Sequence, residues 1–224
     1  MRALLALVAA TAVVVAAGWP GAIARQHGPT IQGPAPQLAT ADSCIACHTG
    51  LVSAGGEDVG FVSSWRATMM ANASRDPYWH AGVRREVTDH PTAAPAIEHE
   101  CSACHMPMAR YLARHAGGHG EVFTNLPPGV STAPHAALAA DGVSCTLCHQ
   151  ITSEGLGTRE SFTANFRLAP TPPAGQSPRI LGPFEADKGR MRLMRSASGF
   201  EPAKAGHLSE SEVCARCHTL FTAS

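Results

Sequence analysis

The feature that most constrains this chain is a pentapeptide, C-x-x-C-H, that occurs four times. A helical turn brings two cysteines three residues apart onto one face, so both thiols can bond the two vinyl groups of one porphyrin. The histidine that follows stands over the same ring and can offer a nitrogen to the iron. This pattern is the attachment signal for c-type haem. The four copies occupy residues 44–48, 101–105, 145–149 and 214–218.

The cysteine count supports this interpretation. The chain has 8 Cys, and all of them belong to the four motifs, so none is left for a disulfide. The alternative is a pair of zinc sites with four cysteines each, which would leave the four motif histidines without a role. We therefore predict four covalent haems. The attachment thiols are those of Cys44, Cys47, Cys101, Cys104, Cys145, Cys148, Cys214 and Cys217, and the proximal iron ligands are His48, His105, His149 and His218.

The first residues are typical of a secretory signal peptide. Met1 and Arg2 form a short positive region, residues 3–17 are apolar apart from one Thr, and residues 22–24 form an A-x-A cleavage site. The alternative is an uncleaved membrane anchor, which the shortness of the apolar run disfavours. We interpret residues 1–24 as the signal peptide, and we expect a periplasmic mature chain without a membrane span.

Composition restricts the partners and the core. Lys and Arg number 17 and Asp and Glu 17, so the formal net charge is 0 and nothing indicates a nucleic-acid partner. Aromatic residues make up 5% of the chain, which is low for a conventional core and leaves room for apolar porphyrins. Residues 25–42, rich in Pro, Gly and Gln, are predicted to be a flexible leader. Residues 43–224 are predicted to be the tetrahaem part, built as one domain or two small ones.

Periodicity and helix breakers predict a mostly α, loop-rich fold, with short helices packed around the four haems and little β structure. One stretch, residues 161–168, alternates apolar and polar side chains as a strand does. The last predicted helix opens with a capping box made by Ser209 and Glu212. Helices are predicted over residues 61–73, 77–87, 93–104, 108–116, 135–140 and 209–217.

Each haem iron has a second axial position. A second His there gives a low-spin, electron-carrying haem, a Met raises the potential, and an open position leaves room for a substrate. Twelve His minus the four in the motifs leaves eight, twice the number needed, so counting cannot choose among them. At each position an ordinary surface histidine stays the alternative. The favoured distal ligands are His90, His115 and His207, followed by His80 and His135, with Met69 and Met70 as alternatives.

Four segments around the motifs carry a family resemblance. They read Met-Met-Ala-Asn at 69–72, Arg-Asp-Pro-Tyr-Trp at 75–79, Cys-His-Met-Pro-Met at 104–108 and Asp-Gly-Val-Ser-Cys at 141–145. With the motifs they resemble periplasmic multihaem c-type cytochromes, the broad group of tetrahaem electron carriers of ammonia oxidisers and hydroxylamine-oxidoreductase-like enzymes. The resemblance covers most of the mature chain. It implies closely packed haems that pass electrons one at a time.

Two functions follow as alternatives. The first is electron transfer between redox partner proteins, alone or as a subunit of a larger redox complex. The second is a haem enzyme acting on a small nitrogen or sulfur compound at an open iron. The absence of a C-x-x-C-Lys motif favours the carrier. Related chains often continue with further haem motifs, whereas this one stops six residues after His218. Three explanations of this stop are left open: a fragment, a truncated gene product and a compact variant.

Overall fold

The computed structural model of the protein describes residues 33–221. The fold is mostly helical with little strand, which confirms the predicted fold class at this level. Within the described residues, no helix is both long and apolar enough to cross a membrane. The predicted signal peptide, residues 1–24, lies outside the described part of the chain.

Short helices follow one another along the described chain, and two short strands, β1 (Arg179–Gly182) and β2 (Glu201–Lys204), pair in parallel with Arg179 opposite Glu201. The strands bracket a basic helix. The α-helices are α1 (Asp42–His48), α2 (Phe61–Arg66), α3 (Met69–Asn72), α4 (Pro77–Asp89), α5 (Ala94–His105), α6 (Pro107–His115), α7 (Ala136–Ala140), α8 (Cys145–Cys148), α9 (Lys188–Ser198) and α10 (Glu212–His218).

Local sequence explains the longest helices. Asp76 caps α4, because its carboxylate accepts the Tyr78 N–H at 2.9 Å and Pro77 occupies the first helical turn, where no N–H is needed. Pro107 separates α5 from α6, and Gly117, with φ of 80°, follows the end of α6. The helices predicted over 77–87, 93–104 and 108–116 are therefore confirmed to within about two residues.

Three predictions of local structure are wrong. The helix expected over 61–73 breaks at Thr68, whose extended backbone and hydroxyl instead cap α3. The strand expected over 161–168 does not form, because Thr163 and Ala164 have φ of 56° and 55°, which a strand cannot accommodate. The capping box is also absent, because Ser209 ends a 3₁₀ turn and α10 begins only at Glu212.

The stretch expected to be a flexible leader is described from residue 33 onward, and residues 37–41 lie against the third motif. The Ala39 N–H donates to the Thr146 hydroxyl at 3.1 Å, and that hydroxyl donates back to the Ala39 carbonyl at 2.7 Å. The side-chain amide of Gln150 donates to the Gln37 carbonyl at 2.7 Å. These long-range bonds hold the segment in place, which composition alone could not indicate.

Two apolar clusters form the core, one on each side of α5 and α6. The first cluster contains Met108, Tyr111 and Leu147, and it includes motif cysteines at its edge. In it the Tyr111 ring stacks on Phe166 with centroids 5.8 Å apart. The second cluster gathers residues of α4 to α7 around Met106. Residues of the second, third and fourth motifs thus lie in or against the core.

Candidate haem-binding site

All four motifs lie at helices, as haem attachment requires: α1, α5, α8 and α10. The cysteines and the histidine of a motif share one side of the helix, and the two intervening residues point away. In the second motif these intervening residues, Ser102 and Ala103, are buried, and so are Thr146 and Leu147 in the third. The back of each of these two motifs is therefore part of the core.

The first and fourth motifs are held differently. Helix α1 buries none of its residues, and α10 buries only Arg216. The carbonyl of Arg216 accepts the Ala164 N–H at 2.6 Å, and Thr219 O accepts the Thr163 N–H at 3.0 Å. The strained left-handed turn at 163–164 therefore fastens α10 to the rest of the fold.

The first and third motifs meet at what we call the first–third junction, formed by Cys44, His48, Cys145 and His149. The thiols of Cys44 and Cys145 hydrogen-bond to each other, which raises the pKa of Cys44 and lowers that of Cys145 to about 7. Burial, and then the nearby charge of His149, lowers the pKa of His48. Both the thiols and the imidazoles of these motifs are therefore neighbours.

The second and fourth motifs meet at the second–fourth junction, formed by Cys104 and Cys217. A hydrogen bond between these thiols lowers the pKa of Cys104 and raises that of Cys217, and Cys104 Sγ lies 4.0 Å from the Cys217 carbonyl oxygen. Burial, and then the charge of Cys214, raises the pKa of Cys148 to about 11, so the third and fourth motifs are also adjacent. The motifs form a row in the order first, third, fourth, second.

Two motif histidines have the geometry of a metal ligand. His105 Nδ1 lies 2.9 Å from the Ala73 carbonyl oxygen, and His149 Nδ1 lies 2.6 Å from that of Leu181. A carbonyl at Nδ1 holds the proton there and leaves Nε2 with a lone pair for a metal, which is the usual outer partner of a ligating histidine. These two residues fit the proximal role in haem binding.

The surroundings of the motif histidines differ from motif to motif. Trp79 lies parallel to the His105 ring, with centroids 4.3 Å apart and planes 2° apart. His48 lies 5.0 Å from the Phe61 ring, and its buried Nδ1 has no hydrogen-bond partner. His218 is exposed. The ring orientation is therefore well fixed in the second and third motifs and less so in the first and fourth.

The three favoured distal histidines occupy different environments. His90 is exposed where α4 ends, and His207 lies in a 3₁₀ turn with Nε2 2.8 Å from the Ile151 carbonyl oxygen. His115 is the last residue of α6, and its Nε2 is buried without a hydrogen-bond partner. An Nε2 that donates to a carbonyl has no lone pair to offer, so His207 presents only Nδ1. His115 therefore offers a distal nitrogen most directly.

The lower-ranked candidates are placed as follows. His80 Nε2 lies 2.8 Å from the Ser74 carbonyl oxygen, so it too presents only Nδ1. His135 is half-buried at the start of α7. Met69 and Met70 are both exposed on α3. Within residues 33–221, no three His, Cys, Asp or Glu side chains gather as a metal site. A haem iron takes at most two protein ligands, so this finding does not bear on haem.

Sequence reasoning missed three buried charged residues beside the motifs: Arg110, Asp141 and Arg216. Two signals could have indicated them. Arg216 stands between the cysteines of its motif, and Asp141 begins the segment that leads into the third motif. Nothing in the sequence around Arg110 marks it as buried.

No protein-family model matches this chain, and neither a curated protein nor a solved structure matches it. The resemblance to multihaem cytochromes therefore depends on the four motifs and the segments around them.

Proposed function

We propose that this protein is a periplasmic electron carrier that holds four c-type haems at its C-x-x-C-H motifs. The observation that carries the proposal is the row of motifs, in which Cys44 contacts Cys145 and Cys104 contacts Cys217. Cys148 and Cys214 connect the two halves of that row. Haem iron bound at these motifs supplies one-electron redox chemistry.

The chain's own residues anchor and orient the groups. The motif thiols provide eight covalent bonds, two for each haem. The carbonyls of Ala73 and Leu181 turn the imidazoles of His105 and His149 so that each Nε2 can face iron. Adjacent attachment points keep neighbouring groups close, which one-electron transfer along the row requires.

His115 is the best-supported distal ligand among the favoured histidines. Its buried Nε2 lacks a hydrogen bond, and an unpaired buried polar group is costly unless it finds a partner. It follows Tyr111 by one helical turn, and Tyr111 packs with Leu147 of the third motif in the first core cluster. A bond to iron would remove that cost and close the iron to substrates.

The partners of such a carrier are one-electron redox proteins. The first and second motifs are the ends of the row, and α1, which carries the first motif, has no buried residue. An exposed end motif suits electron exchange with another protein. A subunit role in a larger redox complex would use the same surface.

One observation favours an enzyme as the second candidate. An open cleft of about 640 Å³ lies beside the second motif. His80 and Arg84 contribute to its wall, and His80 lies close to His105. A small anion could bind between the His80 and Arg84 side chains if the second-motif iron had an open position. The enzyme function requires a five-coordinate haem, whereas the electron-carrier function does not.

The first experiment counts the haems. Expression with the c-type maturation machinery and intact-protein mass spectrometry should show a chain carrying four haem masses. Replacing Cys44 and Cys47 together by Ala should remove one haem mass and leave three. Replacement of Ser43 and Thr49, which flank the same motif, should leave all four. A zinc-containing chain without haem would refute the proposal.

The second experiment separates carrier from enzyme. Electron paramagnetic resonance of the oxidised protein should show at least three low-spin haems, because distal histidines close those irons. His115→Ala should convert one low-spin signal to a high-spin one, whereas His119→Ala, a substitution at an exposed position, should not. Several high-spin haems that bind nitrite or hydroxylamine in the parent protein would establish the enzyme instead.

A further inference from the structure

Among residues 33–221, three charged side chains are buried: Arg216 at 0% exposure, Arg110 at 7% and Asp141 at 9%. None of them forms an ion pair within the described chain. A buried charge is screened far less by salt and water than an exposed one, so its field reaches groups several ångströms away. The placement of these charges along the row of motifs is unequal.

The negative charge belongs to the first–third junction. Asp141 lies where α7 ends, and its carboxylate accepts the Ala41 N–H, at the start of α1, at 2.8 Å. The hydrogen bond to Cys145 is the main cause of the raised pKa of Cys44, and the charge of Asp141 adds to it. The carboxylate therefore lies beside the attachment thiols of both motifs.

The first positive charge is Arg216, in the fourth motif. Its Nη2 donates to the carbonyls of Thr152 at 3.2 Å and Glu154 at 2.9 Å, in the loop that follows the third motif. Its Nε and Nη1 are buried without a partner. The carboxylate of Glu154, whose charge acts on Arg216, is exposed and pairs with Arg167 at 3.3 Å. The guanidinium charge is thus left largely uncompensated.

The second positive charge is Arg110, on α6. Its guanidinium lies close to the thiols of Cys104 and Cys217, the two members of the second–fourth junction. Burial, followed by the charge of Arg114, lowers the pKa of Arg110 to about 10, so the side chain stays charged at neutral pH. One buried cation therefore lies within the fourth motif, and a second lies beside it.

The second motif has a mixed environment. Burial, and then the charges of Glu100 and Glu86, raises the pKa of Cys101, and Glu98 lies nearby. The carboxylate of Glu100 opposes the effect of Arg110 on the other cysteine of the motif, Cys104. Carboxylates also lie near the fourth motif, on Glu210, Glu212 and Glu154, but all three residues are exposed. Arg216 and Arg110 are buried, so their charges are screened less. The net field is therefore most positive at the fourth motif and most negative at the first–third junction.

We infer that Arg216 and Arg110 raise the reduction potential at the fourth motif, and that Asp141 lowers it at the first and third. The inference rests on the proposed function, because it requires haem at all four motifs. Reduction of iron from Fe(III) to Fe(II) removes one positive charge, so a buried cation favours the reduced form and a buried anion disfavours it. An electron supplied by a reduced partner protein at the first motif would then move towards the fourth.

The test is a potentiometric titration of the four-haem protein, poised with dithionite and ferricyanide and followed by electron paramagnetic resonance. The signal that His218→Ala changes identifies the fourth-motif haem, and in the parent this haem should titrate at the highest potential. Arg216→Gln should shift that step to lower potential, and Arg216→Lys, which keeps the charge, should largely restore it. Asp141→Asn should shift the two lowest steps upward.

Asp42→Asn is the matched control, because Asp42 is exposed and paired with Arg66 at 2.9 Å, and all four steps should keep their potentials. The inference is overturned if the fourth-motif haem is not the highest, or if Arg216→Gln moves all steps equally or none. If Arg216→Gln loses haem, the inference is tested by two other results: whether the fourth-motif haem of the parent has the highest potential, and whether Asp141→Asn raises the two lowest potentials. A parent without four haems refutes the proposed function as well, whereas four haems without this order refute the inference alone.

Discussion

The first–third and second–fourth junctions use the same pentapeptide and are stabilised by different interactions. At the first–third junction, polar groups dominate: the Thr146 hydroxyl and the Asp141 carboxylate bind the main chain of residues 39–41. At the second–fourth junction, Cys104 and Cys217 border an apolar cluster and a buried arginine, Arg110. The comparison shows that the same pentapeptide can lie in different surroundings, and that those surroundings decide rigidity and electrostatics.

A close backbone approach completes the first–third junction. The Val143 N–H donates to the Met70 carbonyl at 3.0 Å, and the Trp65 indole N–H donates to the Val143 carbonyl at 3.0 Å. Gly142, the residue before Val143, has φ of 64°. A Cβ added to Gly142 would lie 2.6 Å from the Met70 carbonyl oxygen. Helix α3 therefore lies directly against the segment that leads into the third motif.

The largest effect should come from adding a side chain at Gly142, where these two backbone segments lie close together. Gly142→Ala should lower the free energy of unfolding by about 3 kcal/mol, because a left-handed alanine is strained and its Cβ meets backbone atoms that cannot move away. Urea unfolding measures the change. Gly129→Ala is the control, since Gly129 has φ of 79° and open space around it, and it should cost about 1 kcal/mol. Equal costs would contradict the close approach.

The second motif should respond to loss of an aromatic contact. Trp79→Ala should lower the free energy of unfolding by about 2 kcal/mol, because the half-buried indole packs on His105 and in the second core cluster. If the second motif holds haem as proposed, this variant should also change the resonance signal of that haem and of no other. Tyr78→Ala, at a neighbouring position that is 86% exposed, should change stability by less than about 0.5 kcal/mol. If both variants behave alike, Trp79 does not support the motif.

A smaller effect is expected where the first–third junction depends on one hydroxyl. Thr146→Val should cost about 1 to 2 kcal/mol, because it leaves the N–H and the carbonyl of Ala39 without their partner. Hydrogen exchange at the Ala39 amide should become faster. Thr132→Val, at an exposed threonine, should change neither quantity. Unchanged exchange at Ala39 would show that residues 37–41 are held by other contacts.

The smallest effect should come from an exposed charge near the first motif. Asp42→Asn removes the ion pair with Arg66, in which the carboxylate is 75% exposed, and it should cost less than about 0.5 kcal/mol. Thermal unfolding at low and high salt measures it. A loss comparable to that of Thr146→Val would mean that surface charge, rather than main-chain hydrogen bonding, holds α1 to the third motif.

Several features could be predicted from local sequence because local physics determines them. Asp76 and Pro77 set the start of α4, and Pro107 and Gly117 bound α6, since capping groups and fixed dihedral angles act within a few residues. The alternation over 161–168 was misleading for the opposite reason. Thr163 and Ala164 take left-handed angles because of hydrogen bonds to Thr219 and Arg216, more than fifty residues away.

By itself, the sequence determined the pattern behind the proposed haem attachment: two cysteines and a histidine at a spacing that suits one porphyrin, four times over, with no cysteine outside the motifs. Only the tertiary structure decided which motifs are neighbours, that His105 and His149 are oriented by backbone carbonyls, and that Arg110, Asp141 and Arg216 are buried. These features arise from contacts between residues far apart in the chain, and a residue's burial depends on what packs over it.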